Sequence, residues 1–191
     1  MTNGSLIEAS GLGAMRGERV LFTRQALSLA RGGICLLRGA NGSGKTTFLR
    51  LIAGLIPLET GKLNLNGGLH WLGHADGLKP HETPRRHLKH WARAWGSDAD
   101  ISEILETIGL ASAADVAANG LSAGQRRRTV FGRLLLETRA VWLLDEPFSA
   151  LDDSGKRMAA GLISEHCKTG GGVVAAVHGD VPLTGHTELT F

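Results

Sequence analysis

Nine consecutive residues constrain this chain more than any other feature: Gly39-Ala40-Asn41-Gly42-Ser43-Gly44-Lys45-Thr46-Thr47. They satisfy the pattern G-x-x-x-x-G-K-[ST], whose glycines let successive backbone amides turn toward an anion without Cβ clashes. The apolar run Ile34-Cys35-Leu36-Leu37 precedes them, and Phe48-Leu49-Arg50-Leu51-Ile52-Ala53, which reads as helix, follows. Strand, loop and helix in that order are the context the pattern requires. The helix N-terminus adds unsatisfied N–H groups and partial positive charge. Lys45 supplies a point charge for the β- and γ-phosphates of a nucleotide, and the Thr46 hydroxyl is placed to reach Mg²⁺.

Two further apolar runs, Val141-Trp142-Leu143-Leu144 and Val173-Val174-Ala175-Ala176-Val177, are as short as the first and do not alternate. Such runs read as strands covered on both faces, hence a parallel sheet between helices. The three runs end abruptly at Arg38-Gly39, Asp145-Glu146 and His178-Gly179. Ligands of open α/β sheets bind beyond the carboxyl ends of the strands, so these ends predict the site. Asp145 reads as a carboxylate for Mg²⁺. Glu146 reads as the acceptor of a proton from attacking water.

Residues 6–9, 20–22 and 26–30 read as short strands of a small antiparallel layer. Residues 79–120 read as mainly helical, with helices expected over 82–95 and 102–110, the second capped by Ser102. The chain has 191 residues, 42% of them hydrophobic and 20% charged, which excludes disorder and fits one domain. Its apolar runs fall far short of the roughly 18 residues that span a bilayer. No N-terminal stretch has the form of a cleaved leader, so a cytoplasmic location is expected. Cys35 and Cys167 are too few and too distant for a zinc site or disulfide framework and read as inert buried thiols. The net charge of +3 is compatible with nucleic acid or anionic lipid but demands neither. The 27 glycines, about twice the usual share, gather where turns or phosphates need them.

Leu121-Ser122-Ala123-Gly124-Gln125 precedes Arg126-Arg127-Arg128. Locally this is a turn opening a helix with Ser122 as cap. Arginines in a first turn oppose the helix dipole, and at least two of the three are expected on a solvated basic face. Leu121 to Gln125 is similar to the LSGGQ signature of ABC transporter ATPases, with Ala123 in place of one glycine. Ser149-Ala150-Leu151-Asp152 resembles the D-loop of that family, and His178 resembles its switch histidine. The resemblance implies a P-loop NTPase fold of the ABC nucleotide-binding type. It would form a single domain over residues 1–191, with a small antiparallel β-layer and an inserted helical subdomain over about 79–135. It also implies two copies facing head to tail, with ATP and Mg²⁺ between them. Residues 39–47 of one copy would grip the phosphates, while Ser122 and Gly124 of the other touch the γ-phosphate. Lys45, Glu146 and His178 would be the catalytic set, and Thr46 and Asp145 the metal set.

Two positions depart from the family pattern. Arg16 stands where an aromatic usually stacks on adenine, and a guanidinium can stack on a purine too. His74, in Leu72-Gly73-His74, stands where the family has a glutamine. That segment, its continuation to Leu78-Lys79, LSAGQ with its arginines, and Leu21-Phe22 together resemble the ATP-binding subunit of the haem exporter complex of cytochrome c biogenesis. The resemblance implies a peripheral subunit on the cytoplasmic face of the inner membrane, partnered by an integral permease. Its ATP hydrolysis would release a haem-loaded chaperone. A different small substrate, or a non-transport ABC protein acting on nucleic acid, is the alternative. One cassette and no sustained heptads leave nucleic acid unexpected as a partner. His70, His74, His81, His87 and His90 crowd one segment with Trp71, Trp91 and Trp95. They read as a partly exposed docking surface and helix core rather than as haem ligands.

Overall fold

The structure is a computed structural model and describes residues 4–191. The described residues divide into two compact units: 4–71, 139–146 and 163–191 form the first, and 72–138 with 147–162 the second.

The first unit holds two sheets. Strands β1 (Ile7–Arg16), β2 (Arg19–Leu29) and β4 (Thr60–Leu65) form an antiparallel sheet of order β2-β1-β4. The other sheet is built on β3 (Ile34–Arg38), β6 (Val141–Asp145) and β7 (Gly172–Ala176), flanked by β5 (Leu69–Leu72) and β8 (Thr187–Thr190). Its order is β5-β6-β7-β3-β8, and β3–β7, β6–β7 and β3–β8 pair in parallel. The three apolar runs are thus its three central strands, and every residue of β6 and β7 is buried. Helix α1 (Lys45–Ile52) packs its Phe48, Leu49, Leu51 and Ile52 into the same core.

The antiparallel layer corrects the expected strand bounds: the strand expected over 6–9 continues to Arg16. Residues 20–22 and 26–30 are not two strands but parts of β2, which runs unbroken from Arg19 to Leu29. The polar triplet Thr23-Arg24-Gln25 interrupts the hydrophobic pattern without ending the pairing. Leu12 opposes Gln25 and Ala14 opposes Phe22, so the register slips there, and Arg24 takes φ 56. A bulge absorbs the extra residue and the strand continues.

The second unit is helical, with α2 (Pro84–Trp95), α3 (Ile101–Thr107) and α4 (Ala123–Leu134). Helix α2 has Thr83 as cap and Pro84 at its first position, where a missing N–H costs nothing. Leu88, Ala92, Ile104, Leu105 and Ile108 make its core. Trp91 and Trp95 pack against that core with their rings tilted at 46° and centroids 5.0 Å apart, and the Arg133 guanidinium lies 5.1 Å from the Trp91 ring centroid. Ser102 is not the cap of α3. The Asp100 carboxylate takes that place, accepting from the Ser102 and Glu103 amides at 2.7 and 3.4 Å. Asp100→Ala is therefore expected to cost about 1 kcal/mol of stability and Ser102→Ala only a few tenths, measured by denaturant unfolding.

Helix α5 (Asp153–Lys168) follows the sequence Ser149-Ala150-Leu151-Asp152. Both cysteines are free and buried, and burial raises both thiol pKa values, that of Cys167 to about 11.

Candidate active site

Beyond the carboxyl end of β3 the chain turns through residues 39–44 into α1. The turn is closed by the Ser43 amide donating to the Ala40 carbonyl at 3.2 Å, and the helix begins with the Phe48 amide on Gly44 at 2.8 Å. Gly44 has φ 115, and a Cβ there would lie 2.8 Å from the Phe22 ring. No other residue fits that position. The Lys45 ammonium folds back over the loop, donating to the Gly39 and Ala40 carbonyls at 2.7 and 2.9 Å. Burial lowers the Lys45 pKa, while Glu146 and Asp145 oppose that shift. The Ser43 hydroxyl is buried without a hydrogen-bond partner among the described residues. A buried donor of that kind suits an anion held in the loop.

Asp145 ends β6, is 2% exposed, and accepts from the Thr46 hydroxyl at 3.0 Å on both carboxylate oxygens. Hydroxyl and carboxylate oxygens together are hard donors of the kind Mg²⁺ takes. Glu146 follows in the left-handed region at φ 50, its amide donating to the Ala176 carbonyl at 3.0 Å. Such a conformation costs a non-glycine residue about 1–3 kcal/mol and gathers at functional sites. His178, just past β7, brings Nε2 to 3.2 Å from Glu146 Oε1.

One cavity of about 450 Å³ collects these groups. Asn41, Gly42, Gly44, Lys45, Thr46 and Thr47 line it from the loop, Asp145, Glu146 and His178 from the strand ends, and Arg16 from the end of β1. Gly39 and Ala40 serve from behind, through their carbonyls on Lys45. The sequence reading missed Arg50, which lines the same cavity. Its position three and four residues after Thr47 and Thr46 on a helix was the available signal.

The signature sits in the helical unit. Ser122 caps α4 in a reciprocal box: its hydroxyl accepts from the Gln125 amide at 3.1 Å, and Gln125 Oε1 accepts from the Ser122 amide at 2.9 Å. Gly124 allows the close approach of another loop, since a Cβ there would stand 2.9 Å from the Ala150 carbonyl oxygen. Ser122, Gly124 and Gln125 line a second cavity, of about 570 Å³.

The three arginines do not form a solvated face. Arg126 donates to the Leu121 carbonyl at 2.6 Å, and Arg127, 2% exposed, donates to the Gly73 carbonyl at 2.8 Å. Both guanidinium groups flank Asp76, at 3.9 and 3.7 Å. Arg128 pairs with Asp152 at 2.7 Å. Each charge opposing the dipole thus has an oxygen partner. Asp76 ties the segment after β5 to α4, and His74 is exposed. The expected histidine surface also dissolves in part. His70 and His87 are buried, His87 with Nδ1 3.0 Å from Glu82 Oε2 and its pKa lowered, mainly by burial. His81 and His90 are exposed.

Residues 22–149 match the ABC transporter family, to which the chain belongs as an ATP-binding protein. Its fold is similar to that of a structure described as the ATP binding subunit of an ABC transporter. The TM-score is 0.80 at 21% identity, over 91% of this chain and 79% of the other. Within the family the chain groups with the cytochrome c biogenesis ATP-binding export proteins CcmA. It is 52% identical to that of Hyphomonas neptunium over 100% of this chain and 99% of the relative. It is 40% identical to that of Maricaulis maris over 90% and 85%. Among the described residues no helix is long and apolar enough to cross a membrane.

Proposed function

We propose that the chain hydrolyses ATP as a peripheral subunit of an inner-membrane export complex serving cytochrome c maturation. The observation that carries the chemistry is the meeting of Lys45, Thr46, Asp145, Glu146 and His178 around one cavity. The loop amides and Lys45 bind the β- and γ-phosphates. Thr46 and Asp145 would hold Mg²⁺, which when bound neutralises charge between the phosphate oxygens. Glu146 orients a water molecule and takes its proton as the water oxygen attacks the γ-phosphorus. The bond from that phosphorus to the β–γ bridging oxygen breaks, and ADP and phosphate leave. His178, 3.2 Å from Glu146, fixes the carboxylate and reaches toward the γ-phosphate. Arg16 stacks on the adenine.

Ser122 and Gly124 complete the site of a second copy, contacting the γ-phosphate of its ATP. ATP then bridges two electropositive surfaces, and loss of phosphate removes the bridge. An integral permease receives that movement on the cytoplasmic face, and the outcome is release of a haem-loaded chaperone. The end-to-end similarity to export proteins of cytochrome c biogenesis supports this task. Deleting the gene in its own host is expected to abolish haem-stained c-type cytochromes, with restoration by the parental gene. A tagged chain is expected to bring down a multi-span membrane protein. Normal c-type cytochromes in the deletion strain overturn the assignment.

A further inference from the structure

We infer that Arg128 is a positioning residue that sets the loop at residues 149–152 against the signature, so that both present one prepared surface to a second copy. The inference rests on the ATP-dependent pairing proposed above and goes beyond it. Neither Arg128 nor Asp152 belongs to the catalytic set around the phosphate loop.

The loop is held in a conformation it would not choose by itself. Ala150 has φ 61, the left-handed region that disfavours a side chain. Such a residue persists only where its surroundings over-determine it. Two contacts do so. The Ala150 carbonyl lies so close to α4 that only glycine fits at position 124. From the same helix, one turn further on, Arg128 donates to Asp152 Oδ1 at 2.7 Å and also to the Ser154 hydroxyl. Asp152 is itself anchored, accepting from the Gly155 amide at 2.8 Å and from the Ser154 hydroxyl at 3.2 Å. The Gly155 bond and the Arg128 guanidinium together hold its carboxyl below the usual range. The Arg128 side chain is 15% exposed whereas that of Asp152 is 69% exposed. One partner is thus embedded in the helical unit and the other is offered outward. Arg128, Ala150 and Asp152 line the same cavity of about 570 Å³ as Ser122 and Gly124. A charge-assisted hydrogen bond across that cavity's wall fixes the loop at the distance the signature sets.

The test uses Arg128→Ala, Arg128→Lys and Asp152→Asn in the full chain, each alone and combined with Glu146→Gln. Hydrogen exchange of the amides of residues 149–154 is the direct readout and does not depend on pairing. Arg128→Ala is expected to speed it about tenfold, as the loss of a charge-assisted bond implies, with Arg128→Lys restoring part of the protection. Affinity for a fluorescent ATP analogue is expected to stay at the parental value, because the phosphate loop is untouched. The ATP-bound dimer that Glu146→Gln accumulates is expected to be lost in the Arg128→Ala double variant. Unchanged exchange at 149–154 in Arg128→Ala overturns the inference, as does a double variant that dimerises as fully as Glu146→Gln. If Arg128→Ala fails to fold, Asp152→Asn decides by the same readouts. If Glu146→Gln itself stays monomeric in ATP, the pairing reading fails, and the exchange data still decide the role of Arg128.

Discussion

Lys45→Ala is expected to lower ATP turnover by about 10³-fold, the scale of losing one preorganised group that compensates transition-state charge. The ammonium occupies a defined place over the loop, 2.7 and 2.9 Å from two of its carbonyls. Charge on the γ-phosphate grows as the phosphorus–oxygen bond breaks, and the loop amides alone carry less of it. Nucleotide affinity falls with turnover, because the same charge acts on bound ATP and on the transition state. Phosphate release and equilibrium binding of a fluorescent ATP analogue measure the two. A melting curve matching the parent's assigns the loss to the site. Turnover at the parental rate would remove the phosphate-loop assignment.

Glu146→Gln separates what Lys45→Ala joins. The amide keeps the size of the side chain and an oxygen that faces His178, but it cannot accept the proton of an attacking water. Turnover is expected to fall by roughly 10²–10⁴-fold, the usual range for a lost general base. Binding is expected to survive, and an ATP-bound dimer to accumulate in gel filtration. Glu146 holds a left-handed backbone at φ 50, its N–H donating a hydrogen bond to the Ala176 carbonyl, which the substitution leaves intact. A variant hydrolysing ATP normally would show that the carboxylate does not take the proton.

The meeting of residues 41, 42 and 44–47 with Asp145, Glu146 and His178 around one cavity was legible because each lies in a short contiguous stretch. The strand ends at Arg38, Asp145 and Val177 declare themselves by the step from apolar run to polar residue, and the fold makes them neighbours by parallel pairing. What the sequence concealed depends on contacts distant in the chain. The three arginines after the signature look like a solvated cluster until Gly73, Asp76 and Asp152 are seen to receive them. His87 carries no sign in its neighbours that Glu82 and burial await it. Caps and bulges fail for a local reason. Asp100 and Ser102 are both good caps, and only the amides they reach decide between them. The polar triplet at 23–25 reads as a strand end, yet one residue of slip keeps β2 continuous.

Phe22 belongs to the antiparallel sheet, yet its ring fills the space that a side chain at position 44 would need, and it stands edge-on to Phe48 at 5.7 Å and to Phe191 at 5.3 Å. The anion cradle therefore rests on an aromatic floor laid by the hairpin. A ligand that occupies the cradle also resists any opening of that floor, because whatever binds the folded state alone draws the equilibrium toward it. If ATP is that ligand, its concentration is expected to add to the thermal endurance of the whole sheet that carries Phe22.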